Sequence, residues 1–281
     1  MFVPLNRFSF LSRLFVLVVS PALLALASCA ADGPPIIRAN TTPKPSPLVE
    51  WPKPTGEVEV DATKRVLDHF DGKMQRFYGV DDLGTSGQDE DQFPLFRLSD
   101  GAVLENVIIG DPAADGVHCY GSCTLKNVWW ERVGEDAATF RGQKESDVMI
   151  IDKGGASGAK DKVFQNNGVG TMVIKNFYFE HFGKLYRSCG NCGKQFGRTI
   201  ILENVTAILG KKSHCLVGIN ENYGDIAIFR GINQIYAAEK PEMPACQKYI
   251  GNNKGLEPKK SGVGADGKSC FYDDSTVLWN L

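Results

Sequence analysis

Little in this sequence favours helices, and several marks of other protein classes are missing. Methionine is scarce at 5 of 281 residues and histidine scarcer at 4, which leaves little for a flexible helical core or a histidine-rich metal site. Stretches of ten or more residues with apolar side chains at helical spacing are nearly absent, which argues against a helical bundle or coiled coil. No apolar run reaches the roughly 20 residues that a spanning helix needs. Neither sign of charge dominates: 31 Lys and Arg face 33 Asp and Glu, so no chain-wide basic excess points to a nucleic-acid partner. The loop pattern of an EF-hand is also missing. What the chain does have is 30 glycines beside 16 phenylalanines, a composition suited to many turns and aromatic packing. With 43% hydrophobic and 23% charged residues it reads as globular and long enough to bury a sizeable core.

The first thirty residues read as an address. Arg7 and Arg13 precede an apolar run, Leu14 to Ala27, which leads into small residues. That order is an export signal, and the run is too short, and interrupted by Pro21, to be a retained anchor. Leu26-Ala27-Ser28-Cys29 resembles the lipobox of bacterial lipoproteins, where Cys29 would become a lipidated N-terminus at the membrane. Ordinary cleavage beside Ala27 or Ala30, giving a secreted protein, is the equal alternative. Residues 31–56 carry seven prolines, from Pro34 to Pro54, and read as an extended, solvated spacer. The folded domain is expected over residues 57–281.

Eight cysteines fit an oxidising compartment. Apart from Cys29 they are Cys119, Cys123, Cys189, Cys192, Cys215, Cys246 and Cys270, an odd number, so at least one is unpaired within the chain. The close pairs Cys119/Cys123 and Cys189/Cys192 could suggest zinc, but export and the lack of partnering histidines favour disulfides or packed thiols.

A short word recurs. Leu104-Glu105-Asn106-Val107, Leu125-Lys126-Asn127-Val128, Ile174-Lys175-Asn176-Phe177 and Leu202-Glu203-Asn204-Val205 share the form aliphatic-x-Asn-apolar, with Phe229-Arg230-Gly231-Ile232 as a degenerate copy. The asparagines are 21, 49 and 28 residues apart, and Val148-Met149-Ile150-Ile151 falls midway in the long gap. Periods of 20 to 30 residues with one short β-branched run each predict an all-β solenoid, a right-handed single-stranded parallel β-helix. A recurrent Asn would sit at a bend and bond with the Asn above and below. A β-sandwich with chance Asn-apolar pairs is the competing reading. Segments before Gly101 and after Pro241 are available as end caps.

Residues 141–200 hold ten Lys and Arg against five Asp and Glu, a local +5. Just before them, Asp115 and the pair Glu135 and Asp136 lie 20 to 21 residues apart, about one coil. Carboxylates brought onto one face without His or Cys suit a hard cation, Ca²⁺ above all; acids on a solvent-facing turn are the plainer reading. Lys162 and Lys184, 22 residues apart, and Arg187 repeat the spacing with the opposite sign. A lysine among other cations has its pKa depressed and can serve as a base; ordinary surface lysines would carry the same spacing.

These residues sit in longer words: Asn127-Val128-Trp129-Trp130-Glu131 leading to Glu135-Asp136-Ala137-Ala138-Thr139-Phe140, Gly154-Gly155-Ala156-Ser157-Gly158-Ala159-Lys160-Asp161-Lys162-Val163-Phe164-Gln165, Leu185-Tyr186-Arg187-Ser188-Cys189-Gly190-Asn191-Cys192, and Val217-Gly218-Ile219-Asn220-Glu221-Asn222-Tyr223-Gly224-Asp225. Together they resemble the small pectate lyases of polysaccharide lyase family 3, from about Phe70 to about Asp225. The resemblance implies a parallel β-helix and a Ca²⁺-dependent lyase acting on polygalacturonate, the pectin of plant cell walls. It puts Asp115, Glu135 and Asp136 on calcium-binding positions, Lys162 on the catalytic base, and Arg187 on a charge-stabilising cation. Lys184 and Arg141 would bind substrate, although Arg141 stands where the family commonly has lysine. Gly134 stands where many members have cysteine, which the resemblance connects with the odd thiol count. The implied reaction is β-elimination to 4,5-unsaturated oligogalacturonides, by a monomer with no nucleic-acid partner. A non-catalytic pectin-binding or adhesive β-helix and a polygalacturonase-like hydrolase are the alternatives.

Overall fold

The computed structural model describes residues 49–209, 214–236 and 243–280, all within the unit Thr42–Leu281. The export signal, Cys29 and residues 31–48 of the Pro-rich spacer lie outside the described residues. Short β-branched and aromatic runs between Gly, Asn and Asp turns are poor helices but fit a pleated surface, and each run pairs with the run one coil later. One sheet stacks Glu57–Val60, His69–Gly79, Ala102–Ile109, Cys123–Trp130, Val148–Ser157, Gly170–Glu180, Arg198–Glu203, Ile226–Arg230 and Cys270–Phe271 in that order. A second sheet stacks Lys64–Val66, Phe96–Leu98, Val117–Tyr120, Ala138–Arg141, Lys162–Asn166, Lys184–Ser188, Cys215–Asn220 and Cys246–Ile250. Neighbours along both stacks are parallel. The chain is therefore the expected parallel β-helix, with the right-handed crossovers that strand twist favours. Among the described residues the helical turns are two 3₁₀ segments, Asp81–Leu83 and Glu221–Tyr223, and no helix is long and apolar enough to cross a membrane.

The phenylalanines fill the space between the sheets. Trp130, Phe164, Phe177 and Phe179 are all buried, with ring centroids 5.9 Å apart for Trp130 and Phe164 and 4.6 Å for Phe177 and Phe179. Ala138, Phe164, Tyr186 and Val217 are successive register partners, so one inward column runs through four coils. Three disulfides join Cys119 to Cys123, Cys189 to Cys192 and Cys246 to Cys270, while Cys215 is free and buried.

The repeated asparagines mark one corner. Asn106, Asn127, Asn176 and Asn204 all have left-handed backbones, with φ of 53° to 55°. Asparagine tolerates that conformation because its short side chain bonds locally. Register brings Lys153, φ 64°, to the same corner between Asn127 and Asn176, and Gly231, φ 60°, to it after Asn204. The bonding between asparagines is partial. Asn127 Nδ2 donates to Asn106 Oδ1 at 2.9 Å, but Asn176 Nδ2 donates to Asp152, and Asn204 Oδ1 accepts from the Ile232 N–H. Lys153 interrupts the ladder.

The N-terminal end differs from the cap expected there. Before Gly101 the chain already forms the first coils, since Glu57–Val60 and Lys64–Val66 pair in register with the strands that follow. The final residues of the spacer are docked: Trp51 packs edge-on to Trp129, centroids 5.2 Å apart, on the outer face of the first sheet. At the other end Lys259–Val263 pairs antiparallel with Cys246–Ile250, covering an edge that would otherwise be open to another chain.

A left-handed backbone costs an ordinary L-residue about 1–2 kcal/mol. Replacing the exposed Lys153 by Asn is expected to raise stability by about 1 kcal/mol in denaturant unfolding. Asn127→Ala is expected to lower it by about 1–2 kcal/mol, through backbone strain and the lost bond to Asn106. A lower midpoint for Lys153→Asn would contradict this reading of the corner.

Candidate functional site

The acidic residues occupy turns that lead into the second sheet, and two glycines let those turns stack tightly. A Cβ on Gly116 would lie 2.1 Å from the Ala137 carbonyl oxygen, and one on Gly134 would lie 2.0 Å from that of Ala114. The Glu135 N–H donates to the Ala114 carbonyl at 2.9 Å, which ties one acidic turn to the other. Val117 pairs with Ala138, Ala138 with Phe164, and Lys162 with Lys184. Two positions upstream of these partners, Asp115, Asp136 and Lys162 fall in a single column, with Lys184 as the next rung. Neighbouring rungs are about 4.8 Å apart.

Asp115, Glu135 and Asp136 are each buried, and one oxygen from each lies within 4.8 Å of the others. His118 Nε2 is 2.6 Å from Asp115 Oδ2, and Thr139 Oγ1 donates to Asp136 Oδ2 at 3.4 Å. Asp115 Oδ1 and Asp136 Oδ1 are buried without a hydrogen-bond partner. Burial pushes the Asp115 carboxyl up, partly offset by His118. Burial also pushes Asp136 well above the usual carboxylate range, and the charges of Glu135 and Asp115 add to the rise against the pull of Lys162. Three convergent carboxylates with two orphaned buried oxygens, and no nitrogen or sulfur donor in the cluster, fit a hard divalent cation such as Ca²⁺.

Lys162 stands at the edge of this cluster. Its Nζ is 3.1 Å from Glu135 Oε1, 3.7 Å from Asp136 Oδ1, 3.3 Å from Asp161 Oδ2 and 3.5 Å from Glu90 Oε1. Burial disfavours its charge, but Asp136 and Glu135 outweigh burial and raise its pKa above the ordinary lysine value. The expectation that neighbouring cations depress this pKa is therefore corrected: register brings Lys184 alongside, but Asp161 intervenes and bonds both amines. Burial pushes Asp161 up, yet the bond from Lys184 and the charge of Lys162 hold it below its ordinary value.

Arg187 is also on the strand beside Lys162, three register positions along, on the outward face. Its Nη1 donates to Asn220 Oδ1 at 3.0 Å, and its guanidinium lies 4.0 Å over the Tyr249 ring. Arg141 ends the strand that Asp136 precedes; its Nε is buried without a partner. Asp115, Glu135, Asp136 and Lys162 are thus brought into contact, Lys184 joins through Asp161, and Arg187 and Arg141 stand apart on the sheet's outer face. The positive excess of residues 141–200 does not form one strip: Lys144 pairs with Asp100, Lys175 with Asp152, and Arg198 is buried against the Gly168 carbonyl.

Four polar neighbours escaped the sequence reading. His118 is only three residues beyond Asp115, where the turn enters the strand Val117–Tyr120. Asp161 is the chain neighbour of Lys162. Glu90 and Asn220 reach the site from 72 and 33 residues away, a distance no local pattern reveals.

Residues 49–255 match the pectate lyase family. Pectate lyase E of Emericella nidulans is 42% identical over 261 residues, covering 92% of this chain and 96% of that one. The catalytic domain of a pectate lyase from Erwinia chrysanthemi has a similar solved structure, with TM-score 0.62 and 34% identity over 80% of this chain and 98% of that chain. A pectate lyase of the same organism, solved in complex with tetragalacturonic acid, has TM-score 0.63 and 31% identity, covering 79% of this chain and 70% of the other.

A cation that binds the trio must displace the proton that Asp136 holds above its ordinary pKa of 3.8. Calcium is therefore expected to raise the melting temperature, and to raise it more as rising pH removes that proton. Asp136→Asn should remove the increment; an increment unchanged in that variant, followed by scanning calorimetry, would rule out the trio as the site.

Proposed function

The chain belongs to the pectate lyase family, a family of polysaccharide lyases, and on that premise we propose that it cleaves (1,4)-α-D-galacturonan by calcium-dependent β-elimination, with Lys162 as the base. The observation that carries this is the place of Lys162: a buried amine 3.1 Å from Glu135, one coil beyond Asp136, where a sugar held at the carboxylate cluster would meet it.

The C5 hydrogen of a galacturonate residue is acidic only if the charge beside it is cancelled, because the carbanion forms next to a carboxylate. Calcium held by Asp115, Glu135 and Asp136 would neutralise that carboxylate and take up the two charges that keep the proton on Lys162. Arg187, fixed by Asn220 and Tyr249, presents a planar donor pair that suits a carboxylate or the enolate-like oxygens developing from it. Lys184 and Arg141 supply charge for neighbouring uronates, Lys184 being steadied by Asp161. Lys162 accepts the C5 proton, the electron pair forms the C4–C5 double bond, and the C4–O bond breaks. The leaving oxygen takes up a proton from solvent while Lys162 returns the one it gained, so no water is consumed overall, and the new non-reducing end is unsaturated. A hydrolase would need an acid and a base or nucleophile flanking the bond, both carboxyls; here an amine takes the position beside the acidic cluster.

The substrate is a wall polymer too large to enter a cell, so the reading places the protein outside the cytoplasm, in line with its export pattern. All the residues named come from one chain, so a monomer suffices.

Incubation with low-ester pectin and calcium is expected to produce the absorbance of a double bond conjugated to a carboxylate. Lys162→Ala should lower that rate by about 10²–10⁴ while largely keeping oligogalacturonate binding. A chelator should stop the reaction, and kcat/KM should rise into the alkaline range as the amine loses its proton. New reducing ends without the chromophore would contradict elimination, and undiminished turnover by Lys162→Ala would reject the base.

A further inference from the structure

The outward face of the second sheet carries a column of register partners: Arg65, Arg97, His118, Thr139, Gln165 and Arg187. His118 joins this column to the acidic cluster through Asp115, and Arg187 stands on the cluster's far side. Arg65 and Arg97 are the first two rungs, before any coil that contributes a carboxylate to the trio, and have no part in the scheme above. With Arg141, Tyr120 and Phe93 they line a cleft of about 430 Å³.

Arg65, Arg97 and Arg141 outnumber the two acids, Glu90 and Asp91, that line this cleft. Arg97 lies 4.1 Å over the Tyr120 ring and Arg141 5.9 Å from the same ring, so two guanidinium groups pack against one aromatic side chain. Arg65, Arg97 and Arg141 form no ion pair among the described residues, and Arg141 Nε is buried without a hydrogen-bond partner. Glu90 and Asp91 also line the cleft, but Glu90 Oε1 lies 3.5 Å from Lys162 Nζ, and neither acid bonds an arginine. Phe93 is 68% exposed at the rim, an apolar surface beside charged donors. Guanidinium groups bind carboxylates through paired, directional hydrogen bonds, and an aromatic body accepts the flat face of a sugar.

Resting on the reading of the site as a galacturonan lyase, we infer that this cleft is a distal uronate subsite. It takes the carboxylate of a sugar beyond the residue that loses its proton, on the side of the N-terminal coils. Arg97 and Arg65 are its binding residues, and Tyr120 positions Arg97. A polymer laid along the column spans rungs about 4.8 Å apart, so a chain must extend past the acidic cluster before it reaches Arg97. Two consequences follow from the chemistry: long chains are favoured over short ones, and the sugar in this cleft must be unesterified, because a methyl ester removes the charge that the arginines meet.

The test is the double variant Arg65→Ala/Arg97→Ala, in which both side chains replaced are exposed and the fold is left intact. The ratio of kcat/KM for hexagalacturonate to that for trigalacturonate is expected to fall roughly tenfold, at up to about fivefold per exposed pair lost, chiefly through KM. The same ratio in the unaltered protein should shrink as salt screens the contact. Calorimetry in the Lys162→Ala background supplies a second arm: hexagalacturonate should bind less tightly once both arginines are removed, and its fully methyl-esterified form should not distinguish the two proteins. Equal losses on trimer and hexamer, or no loss on either, would overturn the subsite. Should the unaltered protein form no unsaturated product, the lyase reading fails by itself, and the calorimetric arm still decides the cleft: weakened hexamer binding supports it, and unchanged binding refutes it.

Discussion

The site depends on the in-register stacking of parallel coils. In a parallel β-helix each residue sits about 4.8 Å above its equivalent one turn earlier, so the sequence is read in columns as well as along the chain. Asp115, Asp136, Lys162 and Lys184 form one such column at the corner of the second sheet. Glycines at 116 and 134 let its turns close on one another, and the aromatic interior holds the register that aligns them. A slip of one residue would turn every one of these side chains to another face.

That column carries a surplus of negative charge in a buried place. Three carboxylates converge with one lysine at their edge, two of their oxygens lack hydrogen-bond partners, and Asp136 is driven towards its protonated form. Buried charge of this kind is costly unless matched, and the protein matches it only in part. Protons relieve the imbalance, and on the function proposed above a cation would relieve it as well. Lys162 is bound into the same balance. Its proton is held by the carboxylates beside it, so whatever satisfies them also sets the state of the amine.

Much of this was legible in the chain itself. The Asn words and their 21- and 28-residue intervals carried the solenoid, because four of the coils place an asparagine, which tolerates a left-handed backbone, at one corner. The interval between Asp115 and Asp136 equals one coil, which is why spacing alone brought those carboxylates together. Where coils change length the pattern fails. Asp136 and Lys162 are 26 residues apart in sequence yet successive in register. Lys153 replaces the ladder asparagine with a residue no pattern would select. Asp161 lies between two lysines that looked like mutual neighbours, so the sign of the electrostatic shift on Lys162 was misjudged. Glu90, from a distant loop, could be placed only by the fold.

The most direct measurement is anomalous diffraction from a crystal soaked in calcium, with a chelated crystal as the control. A peak is expected among Asp115, Glu135 and Asp136 at oxygen distances of about 2.3–2.6 Å, with Lys162 Nζ drawn away from Glu135. No peak at the trio under saturating calcium, or a peak elsewhere that supports activity, would contradict the central claim that the stacked carboxylates are a cation site.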